Sequence, residues 1–150
     1  MGFPLPSPMR RALDLAAEAA EAGEVPVGAV VTLGDRIVGE GRNAMRAGQD
    51  PTAHAEMVAM RAAAAALGTS RLDKCTLWVS LEPCAMCAGA IALARIAELR
   101  FAAEDPKGGA VLHGPRLFGQ PTCHHRPDVI GGIGEEEAAA QLRTFFTQRR

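Results

Sequence analysis

Two short segments, His54-Ala55-Glu56 and Pro83-Cys84-Ala85-Met86-Cys87, constrain this chain more than any other feature. Each stands at the start of a stretch that reads as a helix. Their metal-capable groups can act together only in a fold that brings two helix heads to one point. Taken singly, each segment is ambiguous. A Cys-x-x-Cys pair serves in thiol redox centres or as half of a structural zinc site, and a histidine at a helix start is commonly a cap or a surface residue. Together they make a coherent ligand set. Cys84 and Cys87, three residues apart, share one helix face. At the amino end of that helix, unpaired amides and the dipole favour thiolates, the form that binds zinc. His54 adds a nitrogen ligand. Three protein ligands leave the fourth tetrahedral position for water, the mark of a catalytic zinc, so one Zn2+ per chain is expected.

Glu56 discriminates between a catalytic and a structural metal site. As an isolated first-turn glutamate it would stabilise its helix by a few tenths of a kcal/mol. A structural zinc site has no use for a carboxylate two residues from its histidine. In a catalytic site the metal lowers the pKa of a bound water towards ~7, and an adjacent carboxylate relays the proton. Glu56 is therefore the candidate general acid–base.

The four cysteines, Cys75, Cys84, Cys87 and Cys123, point to metal or redox chemistry in a chain without export signals. The opening residues, Met1 to Pro6, lack the basic and apolar segments of a signal peptide, and no apolar run is long enough to span a bilayer. A cytoplasmic protein without membrane contact is expected. The 150 residues, 48% apolar and 22% charged, suit a single domain over 1–150. A net charge of −1 argues against extended gripping of duplex nucleic acid, so any such contact must be local.

Turn and cap signals divide the chain. Ser7 as cap and Pro8 in the first turn open a helix that Gly23 can end. Residues 27–33 and 36–40 read as an antiparallel hairpin around Gly34-Asp35, and 41–53 as a loop. A helix over 54–67 stops at Gly68, its alanine run reflecting helix propensity. A strand over 75–81, a helix over 84–95 and a strand over 98–102 follow. The Gly-, Pro- and His-rich stretch 105–127 reads as a long surface segment. A short strand over 129–133 and a helix over 135–149 close the chain. That order implies a layered α/β domain with a mixed sheet.

The combined H-x-E…P-C-x-x-C pattern is a known signature of zinc nucleobase deaminases. With it, the chain resembles the cytidine-deaminase-like superfamily and, within it, the bacterial tRNA adenosine deaminases. The resemblance runs through Glu24-Val25-Pro26-Val27-Gly28-Ala29-Val30, Gly39 to Asn43, Asp50 to Glu56, Ser80 to Ala90, Asp105 to Ala110, Phe145-Phe146 and Arg149-Arg150. It implies a three-layer α/β/α sandwich around a mixed five-stranded sheet, a homodimer, and hydrolytic deamination of the wobble adenosine in a tRNA anticodon stem-loop.

The same resemblance implies that Asn43 contacts the flipped base, that Val27, Gly28, Ala29 and Pro83 wall its pocket, and that Asp105 faces a neighbouring sugar. It also makes Phe145, Phe146, Arg149 and Arg150 candidate RNA contacts, although Arg149 and Arg150 could equally be a solvated tail. On charge alone, Lys107, Arg126, Arg143, Arg149 and Arg150 could form a local basic rim for RNA. On the residues alone, Asn43 could equally cap a loop and Asp105 before Pro106 could be a turn former. Phe145 and Phe146 cannot share one helix face, so one packs inward. Cys123, His124 and His125 could in principle supply a fourth ligand, against which His124 and His125 read as loop residues near the RNA side. A deaminase of a free base or nucleoside, of guanine or cytosine type, would share every zinc residue. A non-enzymatic zinc-stabilised binding module would have no use for Glu56 or for an open fourth position.

Overall fold

A computed structural model describes residues 4–149. Its elements are α1 (Ser7–Glu21), β1 (Gly28–Leu33), β2 (Arg36–Arg42), α2 (Ala55–Leu67), β3 (Cys75–Leu81), α3 (Ala85–Ala94), β4 (Glu98–Ala103), β5 (Asp128–Ile130) and α4 (Glu135–Gln148), with a 3-10 turn at Leu117–Gly119. One sheet carries all five strands in the order β2-β1-β3-β4-β5. β1 pairs antiparallel with β2 and β3, whereas β4 runs parallel to β3 and β5. The sheet is therefore mixed, as expected for this three-layer class.

Alternation along β1 builds the two cores. Val27, Ala29 and Val31 pack with Ala55, Ala59 and Ala63 of α2 and with Ala88 and Ile91 of α3. Val30 points the other way, to Met9, Leu13 and Leu15 of α1 and Ala138 of α4. Glycines let the helices sit directly on the strands. A Cβ on Gly39 would lie 2.3 Å from the Ala59 carbonyl, and one on Gly41 would lie 2.4 Å from that of Ala55. The alanines of α2 thus answer to packing as well as to helix propensity: Ala55, Ala59 and Ala63 form its i, i+4 contact stripe.

Several details differ from expectation. Helix α1 is capped by Pro6, not Ser7, because the Pro6 carbonyl already accepts the Arg10 amide. β2 continues through Gly41 and Arg42, which pair with Ala29 and Gly28. β5 stops at Ile130, before Gly132 and Gly134 adopt φ of 88° and 81°. The 105–127 segment includes the 3-10 turn. No helix among the described residues is long and apolar enough to cross a membrane.

Candidate active site

His54 and Cys84 are the residues immediately preceding α2 and α3, both in extended backbone conformation. Cys87 lies one turn into α3 and is buried. His54 Nδ1 is 3.6 Å from Cys84 Sγ and 3.6 Å from Cys87 Sγ, and the three ligand atoms all lie within 4.8 Å of one another. Zinc–nitrogen and zinc–sulfur bonds of about 2.0 and 2.3 Å at a tetrahedral angle give an N···S edge of about 3.6 Å. The donor set thus fits a tetrahedral metal without rearrangement. Among the described residues this is the one group of three with such spacing. Cys123, His124 and His125 do not join it. Cys123 Sγ donates to the His125 carbonyl at 3.2 Å, and His125 Nε2 lies 2.6 Å from the Ile96 carbonyl. Cys75 is buried in β3, where burial raises its thiol pKa.

The electrostatics suit a cation. The Cys84 thiol falls to about 5, first through the hydrogen bond from Cys87 and then, against burial, through the helix-head amides of Cys87 and Met86 and the proximity of His54. Cys87, the donor of that bond and itself buried beside Glu56, is pushed up. Glu56, in the first turn of α2, is buried too. Burial, with Cys84 nearby, lifts its carboxyl to about 7 despite its own backbone amide. A carboxyl poised there can both take and give a proton near neutral pH.

Around this centre the expected pocket residues divide. Val27 and Ala29 are buried on the α2–α3 side of the sheet, and Pro83 is buried beside Cys84. Gly28 faces away: a Cβ there would lie 2.0 Å from the Ala12 carbonyl of α1, and its amide donates to Ser80 Oγ. Asn43 caps α2 from a distance. Its Oδ1 accepts the Ala55 amide at 2.9 Å while its Nδ2 donates to the Val25 carbonyl at 3.0 Å. Asp105 closes a turn, its Oδ1 accepting the amides of Lys107 and Gly108.

A cavity of about 810 Å³ gathers much of the remainder. Val25, Asp105, Lys107, Phe146 and Arg149 all line it. Phe145 is buried, and Phe146 meets it edge-on at 5.4 Å while staying 53% exposed. The Arg149 guanidinium lies 4.2 Å above the Phe145 ring, so this arginine is stacked and not a free tail. Arg126 is exposed and does not line the cavity. Arg150 lies outside the described residues.

Two buried carboxylates had no role on sequence grounds. Glu24 accepts the amides of Arg46 and Ala47, fixing the connection between β2 and α2. Glu82 accepts the amides of Asp105, Val111, Leu112 and His113, together with His113 Nδ1. The available signal is a glutamate on the border of a strand or turn, beside Val25-Pro26 in one case and Pro83 in the other.

The sequence matches the MafB19-like deaminase family over residues 6–150. It is 51% identical over 142 residues to a tRNA-specific adenosine deaminase of Agrobacterium fabrum, covering 95% of this chain and 93% of that protein. A solved structure from studies of A-to-I editing by tRNA:A34 deaminases at the wobble position superimposes with a TM-score of 0.90. It has 51% identity and covers 91% of this chain and 99% of its own. A guanine deaminase of Nitrosomonas europaea superimposes less closely, with a TM-score of 0.78 and 25% identity, over 98% of this chain and 87% of its own.

Proposed function

This chain belongs to the MafB19-like deaminase family, and we propose that it deaminates adenosine to inosine at the wobble position of a tRNA anticodon. The observation that carries the substrate is the 51% identity to a tRNA-specific adenosine deaminase across nearly the full length of both chains. The guanine deaminase of Nitrosomonas europaea shares half that identity.

His54, Cys84 and Cys87 hold one zinc ion. When bound there, zinc acts as a Lewis acid that acidifies water. Water adds its oxygen at C6 of adenine, the C6–N bond breaks, and ammonia leaves. Glu56 accepts a proton from the attacking water, delivers it to the ring nitrogen N1, and passes the second proton to the departing amine. Its burial keeps bulk water from competing for those protons. Val27, Ala29 and Pro83 wall the base, Gly28 contributing backbone only. Asn43, already committed to Ala55 and Val25, offers one remaining amide hydrogen to the base.

Asp105, Lys107, Phe146 and Arg149 hold the anticodon stem-loop at the large cavity, which suits single-stranded RNA read by stacking and local charge. That arrangement removes the difficulty of a near-neutral chain, because the cationic groups need only act locally. Arg126 and Arg150 belong to a wider rim. The protein acts in the cytoplasm as a homodimer. Supporting the dimer, α3 (AMCAGAIALA) is apolar all round, and its Leu93 is 85% exposed between two apolar hollows.

The decisive experiment incubates the zinc-loaded protein with a transcribed tRNA bearing a wobble adenosine and, in parallel, with free adenosine, cytidine and guanine. Inosine formed only at the wobble position is the expected result. Turnover of a free base with none of the tRNA would overturn the substrate.

A further inference from the structure

We propose that Glu82 is a positioning residue for RNA binding. By gathering the amides of the 105–113 segment it fixes Asp105 and Lys107 in the cavity wall opposite Phe146 and Arg149. It thereby sets how tightly the anticodon loop is held, not how fast the base reacts. This rests on the RNA substrate proposed above.

The segment after β4 has no sheet partner beyond Ala103, so its amides need other acceptors. One side chain accepts four of those amides. Glu82 Oε2 accepts Val111 at 3.1 Å, Leu112 at 2.9 Å and His113 at 3.2 Å. Its Oε1 accepts Asp105 at 3.0 Å and lies 2.8 Å from His113 Nδ1. A carboxylate offers roughly four lone-pair directions, so this one is saturated, and its side chain is wholly buried. The loop is shaped around it, since a Cβ on Gly109 would fall 2.4 Å from Glu82 Oε2.

The chain of contacts then leads outward to the cavity. The Asp105 amide is held by Glu82, the Asp105 carboxylate in turn holds the Lys107 amide at 3.2 Å, and both residues line the cavity. None of these bonds reaches His54, Cys84, Cys87 or Glu56. A second link, the Ala110 amide to the Pro83 carbonyl at 2.9 Å, ties the same segment to the residue before Cys84. The loop is thus set relative to the metal-ligand candidates by the Glu82 side chain and by this one backbone bond. Glutamine at position 82 must turn an N–H towards at least one of the amides that now meet an oxygen. The Asp105–Lys107 turn would then lose its fixed place while the ligand set stays intact.

The test compares the zinc-loaded parent with Glu82→Gln and His113→Ala in steady-state deamination of a wobble-adenosine stem-loop, with zinc content measured on each preparation. Glu82→Gln should raise KM about tenfold while kcat stays within about threefold, as expected when binding and not chemistry is lost. His113→Ala, which removes the ring that bridges Glu82 and Glu104 but leaves the four backbone amides on Glu82, should raise KM by about threefold. Hydrogen exchange should be faster at the amides of Asp105 and Val111 to His113 in both. An unchanged KM in an active parent background, a fall in kcat alone, or loss of zinc would overturn the proposal. If Glu82→Gln does not fold, the His113→Ala result decides by the same criteria. A parent that forms no inosine in the stem-loop would instead overturn the substrate assignment itself.

Discussion

Glu56 and Glu82 are two carboxylates with almost no exposed surface, 4% and 2%, and their surroundings drive them in opposite directions. Burial raises Glu56, and its own backbone amide, the Cys87 thiol and nearby His54 do not offset it. Burial also works to raise Glu82, but the Asp105 amide, the His113 ring and the amides of Leu112 and Val111 outweigh it and hold the group below the usual carboxylate range. Burial alone therefore does not tell a reactive carboxylate from a structural one. The depth of burial and the donors aimed at it, taken together, do. A buried carboxyl held near pH 7 is fit to exchange protons, whereas one saturated by backbone donors is fit to organise backbone.

The largest expected effect is on turnover by Glu56→Gln. The substitution keeps shape and removes the proton-transfer group proposed above, so kcat should fall by at least the ~10² to 10⁴ of a lost general acid–base. Zinc should be retained, and stability should stay within about 1 kcal/mol, because a first-turn helix charge contributes only that much and burial opposes it. Zinc analysis, a melting curve and a turnover assay on one preparation check this. Lost zinc would make Glu56 a ligand, and normal turnover would remove it from the mechanism.

Glu82→Ala should show the reverse pattern, with stability taking the loss. Four amides and a histidine ring lose their acceptor, and a partly buried donor left unpaired costs about 1–3 kcal/mol. Some will recover water at the surface, so a total near 3 kcal/mol is expected in a urea titration, with the slope unchanged. A loss under about 1 kcal/mol would mean the loop holds its shape without this carboxylate.

The contrast between these two glutamates also marks what the sequence could reveal. The ligand set and Glu56 were legible because they are local patterns, two residues apart at one helix head and three apart at another. The helices and inner strands were legible for the same reason, each being bounded by Gly, Pro or a periodic apolar face. Glu24 and Glu82 were not, because each acts on backbone amides more than twenty residues distant, and a backbone amide leaves no trace in residue identity. Gly28 illustrates a subtler limit. The family resemblance implied a pocket wall there, but only the alternation of β1 shows that its missing side chain faces α1. Of Phe145 and Phe146, the helix period required that one turn inward without saying which, and the stacking of Arg149 on Phe145 became visible only in three dimensions.

The smallest expected effect, and the one that separates fit from charge, is that of Gly109→Ala. Gly109 has no positive φ, so alanine meets no backbone penalty there and its whole effect comes from contact. The added Cβ would stand 2.4 Å from Glu82 Oε2 and 2.6 Å from the Asp105 carbonyl. The first neighbour is the end of a side chain, but one fixed by five donors, and the second is backbone. Overpacking of this kind costs about 1–3 kcal/mol. In a Glu82→Ala background the first clash is gone, so the same substitution should cost less, with a coupling of about 1 kcal/mol between the two sites. Urea titrations of the parent, both single variants and the double variant measure this coupling directly. Strict additivity would show that the loop does not close around the carboxylate, and that Glu82 holds the segment only through charge.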